Sequence, residues 1–342
     1  MKIKKKLSII IPVYNSEETI EQCISTVSEE VKKYIHEIIV IDDCSTDKTQ
    51  NILNKFKNIK LIRLDKNMGV GYARNKGIEY SKYDILCYID ADLIISKNSI
   101  YYLLEKIGKD KKIGSVGGIP VLPNLNKKDW SSNFVALKSL FGFRDVKLEW
   151  EVSEVQSEFF VIDKKFLKKI GGWKFFRNAG GEEYELGNRI KNNGKKNYKL
   201  NEATYTTSWD NLFTRFKEVI DRTEKYLHIF VKKKEFETEE SFASSEQAMS
   251  AIFTSILIFL IFINFFTRGL IVSFCFLFFW IIQLFIERNF LLYAQDTFGF
   301  KMFFYSLYAI QVINTGILIG GLLFLYNLFI KNFKKILGNV FV

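Results

Sequence analysis

The first half of the chain alternates short hydrophobic runs with segments whose apolar residues recur at helical spacing. Between the first two runs, one face of a predicted helix carries Ile20, Cys23, Ile24 and Val27. A parallel sheet covered by helices on both faces gives such an alternation, because its strands are buried on both sides. The pattern predicts an α/β domain with a mostly parallel, Rossmann-like sheet, whose first four strands lie within 7–15, 36–45, 59–64 and 84–92.

Polar side chains follow several of these runs, at the points where the predicted strands end. In sheets of this kind ligands bind beyond the carboxyl ends of the strands. We therefore expect one edge of the sheet to gather Asn15, Asp42, Asp43, Asp90 and Asp92.

Asp90 and Asp92 stand two residues apart after the fourth run. Alternate side chains of an extended segment share a face, so both carboxylates can reach one site. Hard oxygen ligands suit Mg²⁺ or Mn²⁺, which usually keep coordination positions for substrate phosphates. An acidic surface loop has the same spacing, so the pattern alone leaves both interpretations open.

From Ala248 onward the chain is strongly apolar and contains three long apolar segments. Each apolar segment approaches or exceeds the roughly 17 to 25 residues that span a bilayer. We predict that the α/β domain covers 1–210. An amphipathic juxtamembrane linker over 211–248 lies on the membrane or packs on the domain, and a transmembrane region covers 249–342, with segments at 249–266, 270–286 and 305–330.

Clusters of lysine flank the apolar region and bear on its topology. Lys232–Lys234 before it and Lys331, Lys334 and Lys335 near its end all favour the cytoplasmic side, whereas three crossings would separate the two clusters. An interfacial element over 298–311, or a shallow hairpin of the first two segments, would resolve the conflict. We predict a multi-pass cell-membrane protein whose α/β domain is cytoplasmic.

The net charge of +11 indicates an anionic partner. The lysines are dispersed and form no recognisable nucleic-acid-binding module, so we expect no nucleic acid. Membrane lipids or a phosphorylated substrate suit the apolar region better. The four cysteines have neither paired nor metal-type spacing, which is typical of a reducing compartment.

Five segments together resemble the family 2 glycosyltransferases, which have the nucleotide-binding GT-A fold. The resemblance covers about residues 6–200, and the segments occur in the family's order: "SIIIPVYN", "VIDDCSTDKT", "NMGVGYARNKGI", "YIDADL" and "GGEEYELGNRIKNNG". It implies inverting transfer of a sugar from a nucleotide-sugar donor, a UDP- or GDP-sugar, to an acceptor hydroxyl.

The resemblance also implies roles for the donor side of the site. Pro12 and Tyr14 would line the base pocket, and Asp43 would bind the pyrimidine ring with support from Asp42. Arg74 would lie near the base and the phosphates. For Asp42, the alternative of merely capping a turn remains open.

In the same way, the resemblance assigns Asp92 to the metal and Asp90 to the ribose or the metal's water shell. Many relatives also carry a histidine as a further metal ligand, but the comparable segment, 203–211, reads "ATYTTSWDN". The metal site would then rest on Asp92, substrate phosphates and water.

The segment "GGEEYELGNRI" matches the family's acceptor-site motif, in which an aspartate is the general base. Glu183 takes that aspartate's place, so it would remove the proton of the acceptor hydroxyl, while Glu182, at the helix start, would contribute to acceptor binding. Gly187, one turn along, would leave room for the acceptor beside Glu183.

Three other residues near this segment have predicted roles. Glu185 and Arg189 are spaced to form an ion pair on a helix. Trp173 either stacks on the acceptor sugar or packs in the core.

These features favour a membrane-anchored glycosyltransferase that acts on a lipid-linked or cell-surface glycan precursor. A polyprenyl-phosphate glycosyltransferase is one alternative, although "DADLIISKN" lacks the Gln and Pro pair of those relatives. A processive synthase is less favoured, because no Gln-x-x-Arg-Trp motif is present. The alternative from another class is a non-catalytic, sugar-binding membrane protein with the same fold.

Overall fold

A computed structural model of the chain describes residues 6–122, 129–143, 148–174, 181–233, 245–267 and 269–340. The chain divides into two compact units. The first comprises Met1–Pro123 and Asp145–Ser208, and the second comprises Asn124–Arg144 and Trp209–Val342.

The first unit contains a mixed sheet flanked by helices. Its strands are β1 (Lys6–Val13), β2 (Ile35–Asp42), β3 (Ile59–Arg63), β4 (Ile85–Ile89), β5 (Leu93–Ile95), β6 (Ile113–Pro120), β7 (Glu149–Val152), β8 (Phe159–Asp163) and β9 (Lys196–Thr207). Its helices are α1 (Ile20–Val31), α2 (Thr49–Leu53), α3 (Val70–Tyr80), α4 (Ser99–Ile107), α6 (Lys164–Lys169) and α7 (Glu182–Asn192), whereas α5 (Trp130–Leu140) belongs to the second unit.

The order of the strands is β3-β2-β1-β4-β8-β6-β9-β5, and β7 pairs with β9. The first four of these strands are parallel, and β8 returns antiparallel between β4 and β6. This arrangement places the carboxyl ends of β1, β2 and β4 at one edge, as the sequence pattern predicted.

Strand β1 runs through the middle of the core, with Leu7 to Val13 all buried. Ile9 and Ile11 pack with helix α1, whereas Ile10 faces Tyr88 and Phe160 on the other side of the sheet. Burial of one such side chain stabilises the fold by about 1.5–3 kcal/mol. A strand covered on both faces has no solvent side, which explains the unbroken run of apolar residues in the sequence.

The second unit is helical, with α5 joined by α8 (Leu212–Lys233), α9 (Ser245–Thr267), α10 (Leu270–Phe298) and α11 (Phe300–Val340). Three stretches of the described helices are long and apolar enough to cross a membrane: Ala248–Phe266, Leu270–Phe298 and Phe300–Ile330. The second extends beyond the predicted 270–286, because Glu287 and Arg288 lower the hydropathy without ending the helix, and the third begins at Phe300 instead of residue 305. Only Gly299, with φ of 82°, separates α10 from α11.

Polar side chains connect the three apolar helices of the second unit. The amide of Gln283 on α10 donates to Thr254 on α9 at 2.7 Å, and the amide of Gln311 on α11 donates to Gln283 at 3.0 Å. Asn314 donates to Ser250 at 2.8 Å. In an apolar environment such bonds fix how helices pack, because an unpaired amide would be costly.

Helix α8 packs closely on α11 within the same unit. A Cβ atom on Gly316 would lie 3.1 Å from the ring of Phe216, and one on Gly320 would lie 2.5 Å from the carbonyl oxygen of Ile220. Glycines four residues apart let two helix backbones approach in this way.

In the first unit, Gly187 lets α7 approach the chain before β8. A Cβ atom there would lie 2.3 Å from the carbonyl oxygen of Ser153 and 2.8 Å from the Cα of Glu154. The expectation that Gly187 leaves room for an acceptor is therefore wrong, because backbone fills the space.

We expect Gly187→Ala to lower the free energy of unfolding by about 1–3 kcal/mol, because the methyl group must displace backbone. Urea unfolding of the detergent-solubilised chain measures the change. Lys191→Ala, at an exposed position of the same helix, is the control and should have little effect. Equal stability of both variants would show that α7 can move away from residues 153–154.

Candidate active site

The loops after β1 and β2 are tied together at the edge of the sheet. The backbone N–H of Asn15 donates to the Ser45 hydroxyl at 3.0 Å, and the N–H of Thr46 donates to the Asn15 side chain at 2.8 Å. Asn15 adopts a φ of 48°, a conformation that asparagine tolerates better than most residues. These bonds hold the start of the predicted donor pocket.

Pro12 and Tyr14 lie at the end of β1 in contrasting surroundings. Pro12 is buried in the sheet opposite Ile41 of β2. Tyr14 follows the strand and is 47% exposed, so its ring is accessible to a ligand at this edge.

Asp42 is fully buried and holds the turn that follows β2. One carboxylate oxygen accepts from the N–H of Ser45 at 2.9 Å, and the other accepts from Arg63 at 3.1 Å. Both bonds are structural, so the surroundings of Asp42 match the turn-capping alternative.

Asp43 holds the loop that leads into α3. Its two carboxylate oxygens accept from the N–H groups of Met68 and Gly69, each at 2.7 Å. Burial raises the pKa of Asp43, and these two hydrogen bonds oppose the rise. Since a carboxylate has about four lone-pair sites, Asp43 can still accept from a bound base.

The guanidinium of Arg74 on α3 joins three parts of the site. The side chain is almost completely buried, and its Nη2 donates to Asp90 at 2.9 Å and to the Ser157 carbonyl at 3.1 Å. Its Nη1 lies 3.8 Å from a carboxylate oxygen of Glu182. Arg74 thus brings the aspartate after β4 and the start of α7 to one place.

Asp90 and Asp92 follow β4 with different partners. Burial raises the pKa of Asp90 to about 7, although the charge of Arg74 opposes the shift. Asp92 accepts a hydrogen bond from the hydroxyl of Thr207 at 2.7 Å. The described residues contain no group of three His, Cys, Asp or Glu side chains arranged to hold a metal ion.

The two glutamates at the start of α7 also differ. Glu182 is buried against Arg74, whereas Glu183 is half-buried. The carbonyl of Glu183 accepts from the N–H of Val155 at 3.2 Å, which holds this turn of the helix. Residues 175–180 lie outside the described residues.

Trp173 has the surroundings of a core side chain. Its indole is 3% exposed and lies with ring centroids 5.6 Å from Tyr88 and 5.8 Å from Phe160. The guanidinium of Arg74 lies 4.5 Å from the ring centroid. Of the two roles that the sequence left open, these contacts match packing, and the acceptor role stays a prediction.

Sequence reasoning missed several polar groups that the sheet brings to this edge. The hydroxyl of Tyr205 on β9 donates to Glu158, and Gln156 donates to that hydroxyl at 2.8 Å. The Glu158 carbonyl accepts from the N–H of Asp90 at 2.9 Å. Only the pairing of β9 with β5 and β6 places Tyr205 and Thr207 near the aspartates, so local spacing carries no signal for them.

Residues 8–171 match the family model described as "Glycosyl transferase family 2". This part of the chain, just under half of its length, is similar to glycosyl transferase family 2.

Similar proteins include two poly-beta-1,6-N-acetyl-D-glucosamine synthases. The one from Staphylococcus epidermidis is 29% identical over 172 residues, and the one from Staphylococcus aureus (strain COL) is 30% identical over 172 residues. In each case the match covers 49% of this chain and 42% of the relative. The matched region therefore spans less than half the length of these curated relatives.

Among solved structures, the mannosyltransferase PcManGT from Pyrobaculum calidifontis in complex with GDP-Man and Mn²⁺ matches 95% of this chain and 88% of its own. The TM-score is 0.61 and the sequence identity 13%. This similarity concerns the fold, and it confirms the predicted GT-A-like domain followed by long apolar helices.

The predicted ion pair between Glu185 and Arg189 is present, and Arg189 also connects helix α7 to the turn at residues 170–172. Arg189 donates to Glu185 at 2.6 to 2.9 Å and to the carbonyls of Ile170 at 2.5 Å and Gly172 at 2.7 Å. Partial burial pushes the pKa of Glu185 up, but the hydrogen bonds from Arg189 and Lys174 outweigh it and hold the pKa below the usual 4.5.

A lowered folded-state pKa means that this contribution is present above pH 4.5 and is lost as the pH falls through the folded-state value. We expect Glu185→Gln to lower the free energy of unfolding by about 1–2 kcal/mol at pH 7, and by less as the pH falls below 4.5. Urea unfolding at several pH values tests this. The control is Glu79→Gln in the exposed pair with Lys76, where we expect almost no change. A pH-independent loss for Glu185→Gln would assign the effect to packing.

Proposed function

We propose that the chain is an inverting glycosyltransferase that moves a sugar from a nucleotide-sugar, a UDP- or GDP-sugar, to a hydroxyl of a glycan or lipid-linked precursor. The observation that most directly supports this proposal is the contact of Arg74 with both Asp90 and Glu182, because it joins the donor-side aspartates to the acceptor-side helix. The name of the synthase relatives supports a glycan acceptor, and the bound GDP-Man of the mannosyltransferase supports a nucleotide-sugar donor.

On the donor side, Tyr14 lies directly after β1 and Asp43 directly after β2. The exposed ring of Tyr14 can stack on a nucleotide base, and Asp43 can accept from the N–H of a pyrimidine. The Nη2 of Arg74 fixes Asp90, whereas its Nε and Nη1 donate no hydrogen bond to the described residues, which supports a role of Arg74 near the base and the phosphates of the donor.

Asp90 and Asp92 would hold Mg²⁺ or Mn²⁺. Their oxygen donors fit such an ion, which commonly binds one or two carboxylates together with substrate phosphates. When bound, the cation supplies positive charge opposite the departing nucleotide diphosphate.

On the acceptor side, Glu183 is the general base. Its carboxylate takes the proton of the acceptor hydroxyl while that oxygen bonds to the anomeric carbon and the bond to the diphosphate breaks. The reacting sugar passes through an oxocarbenium-like state, as in glycoside hydrolysis. Glu182 is buried with its carboxylate 3.8 Å from Arg74, which supports a role in positioning the helix start, and the greater exposure of Glu183 supports its assignment as the base.

We further propose that the catalytic unit works at the cytoplasmic face of a cell membrane that the apolar helices cross more than once. Their length and composition support insertion, and the lysine cluster at 232–234, which precedes the first apolar helix, supports the cytoplasmic orientation of the catalytic unit. A membrane-bound acceptor and contact with membrane lipids follow from this placement.

We expect Glu183→Gln to lower kcat by about 10²- to 10⁴-fold while donor binding persists, because only proton removal is lost. Glu182→Gln is the matched variant one residue away, and we expect it to reduce thermal stability more than rate. Transfer from radiolabelled UDP- and GDP-sugars to a membrane-lipid extract measures both variants, with nucleotide-sugar binding measured alongside.

Two results would contradict the proposal. Loss of transfer in Glu182→Gln with retention in Glu183→Gln would place the base at the other glutamate. A folded wild-type chain that binds a sugar but neither binds nor turns over any nucleotide-sugar would favour the non-catalytic alternative.

A further inference from the structure

Thr207, the last residue of β9, donates its hydroxyl to a carboxylate oxygen of Asp92 at 2.7 Å. A second acceptor, the carbonyl of Ser208, lies at 3.3 Å from the same hydroxyl. A hydroxyl has one proton to donate, and the nearer, charged acceptor forms the stronger bond. The proton of Thr207 therefore belongs to the bond with Asp92.

The sheet, and not a loop, fixes this contact. In the antiparallel pair of β5 and β9, Leu93 lies opposite Thr207 and Ile95 opposite Tyr205. Asp92 directly precedes Leu93, so the strand register sets the distance between the hydroxyl and the carboxylate. Thr207 is β-branched, so its side chain has few rotamers and its hydroxyl stays directed at Asp92.

The same face of β9 also carries Tyr205, which is connected to Asp90 through Glu158. Tyr205 and Thr207 share that face because side chains alternate along a strand. The Tyr205 hydroxyl donates to Glu158, whose backbone carbonyl accepts from the N–H of Asp90. Strand β9 thus contributes side chains that support both aspartates after β4.

From this geometry, and resting on the proposed function, we propose that Thr207 is a positioning residue that orients the Asp92 carboxylate for the divalent cation of the donor diphosphate. With one oxygen held by Thr207, the carboxylate cannot rotate freely, and its other oxygen is directed by the bond. Groups that hydrogen-bond a ligating side chain commonly affect metal affinity by about 10- to 100-fold.

This role differs from that of the histidine ligand which the family resemblance led us to look for. The segment 203–211 contains no histidine, and its contribution to the site is a hydroxyl that acts through Asp92. A purely structural role at the strand end is the competing explanation, but the β5–β9 pairing is made by backbone groups that remain without the hydroxyl.

The test uses the full chain in detergent and four variants. Thr207→Val keeps the shape and removes the hydroxyl, Thr207→Ser keeps the hydroxyl, and Asp92→Asn marks the loss of the ligand. Thr206→Val, on the neighbouring position of β9, is the matched control. The probe is Mn²⁺ with UDP or GDP, and the free ion is measured by electron paramagnetic resonance, with thermal unfolding of the metal-free protein alongside.

We expect Thr207→Val to weaken Mn²⁺ binding by about 10- to 100-fold. Thr207→Ser should restore most of the affinity, and Thr206→Val should bind as wild type does. The Mn²⁺ concentration for half-maximal transfer should shift in the same order, while the unfolding temperature of the metal-free variants stays close to that of wild type.

Wild-type Mn²⁺ affinity in Thr207→Val, with normal transfer, would overturn the inference and leave the proposed function intact. An unfolding temperature lowered equally in the Val and Ser variants, with no difference in Mn²⁺ affinity between them, would assign Thr207 a structural role. A wild-type chain that neither binds nor turns over a nucleotide-sugar would instead remove the proposed function itself.

Discussion

The guanidinium of Arg74 is buried, and a buried cation is stable only where anions and carbonyl oxygens surround it. Asp90, Glu182 and the Ser157 carbonyl provide those partners, and the Trp173 ring lies against its face. Removing one partner of a buried ion pair typically costs about 3–5 kcal/mol. The geometry of the first unit's site therefore depends on this one cation, which connects α3, the end of β4 and the start of α7.

Around this cation, the remaining polar contacts fix loops that would otherwise be mobile. The carboxylates of Asp42 and Asp43 accept hydrogen bonds from backbone N–H groups and from Arg63. These bonds hold the loops after β2 and before α3 in one conformation. Arg189 does the same for the turn at residues 170–172. A site on such supported loops keeps its groups in place before substrate arrives, which lowers the cost of binding.

The second unit uses a different device to order its helices. Its apolar helices have little hydrophobic reason to associate if lipid surrounds them, so specific polar contacts determine their packing. The bonds among Gln283, Thr254 and Gln311, and the close approach at Gly316 and Gly320, supply this specificity. Lys138 on α5 adds an ion pair with Glu287 on α10 at 2.8 Å.

The sequence by itself determined the alternation of strands and helices, the acidic strand ends and the three apolar segments, because periodicity and strand-end chemistry are local properties. The Glu185–Arg189 pair was likewise predictable from spacing within one helix. The supporting side chains of Tyr205, Thr207 and Glu158 were not, because strand pairing brings them to Asp90 and Asp92 across long stretches of chain. The surroundings of Gly187 and Trp173 also depended on the tertiary structure, since a sequence shows that a residue is small or aromatic but not which backbone or ring fills the adjoining space.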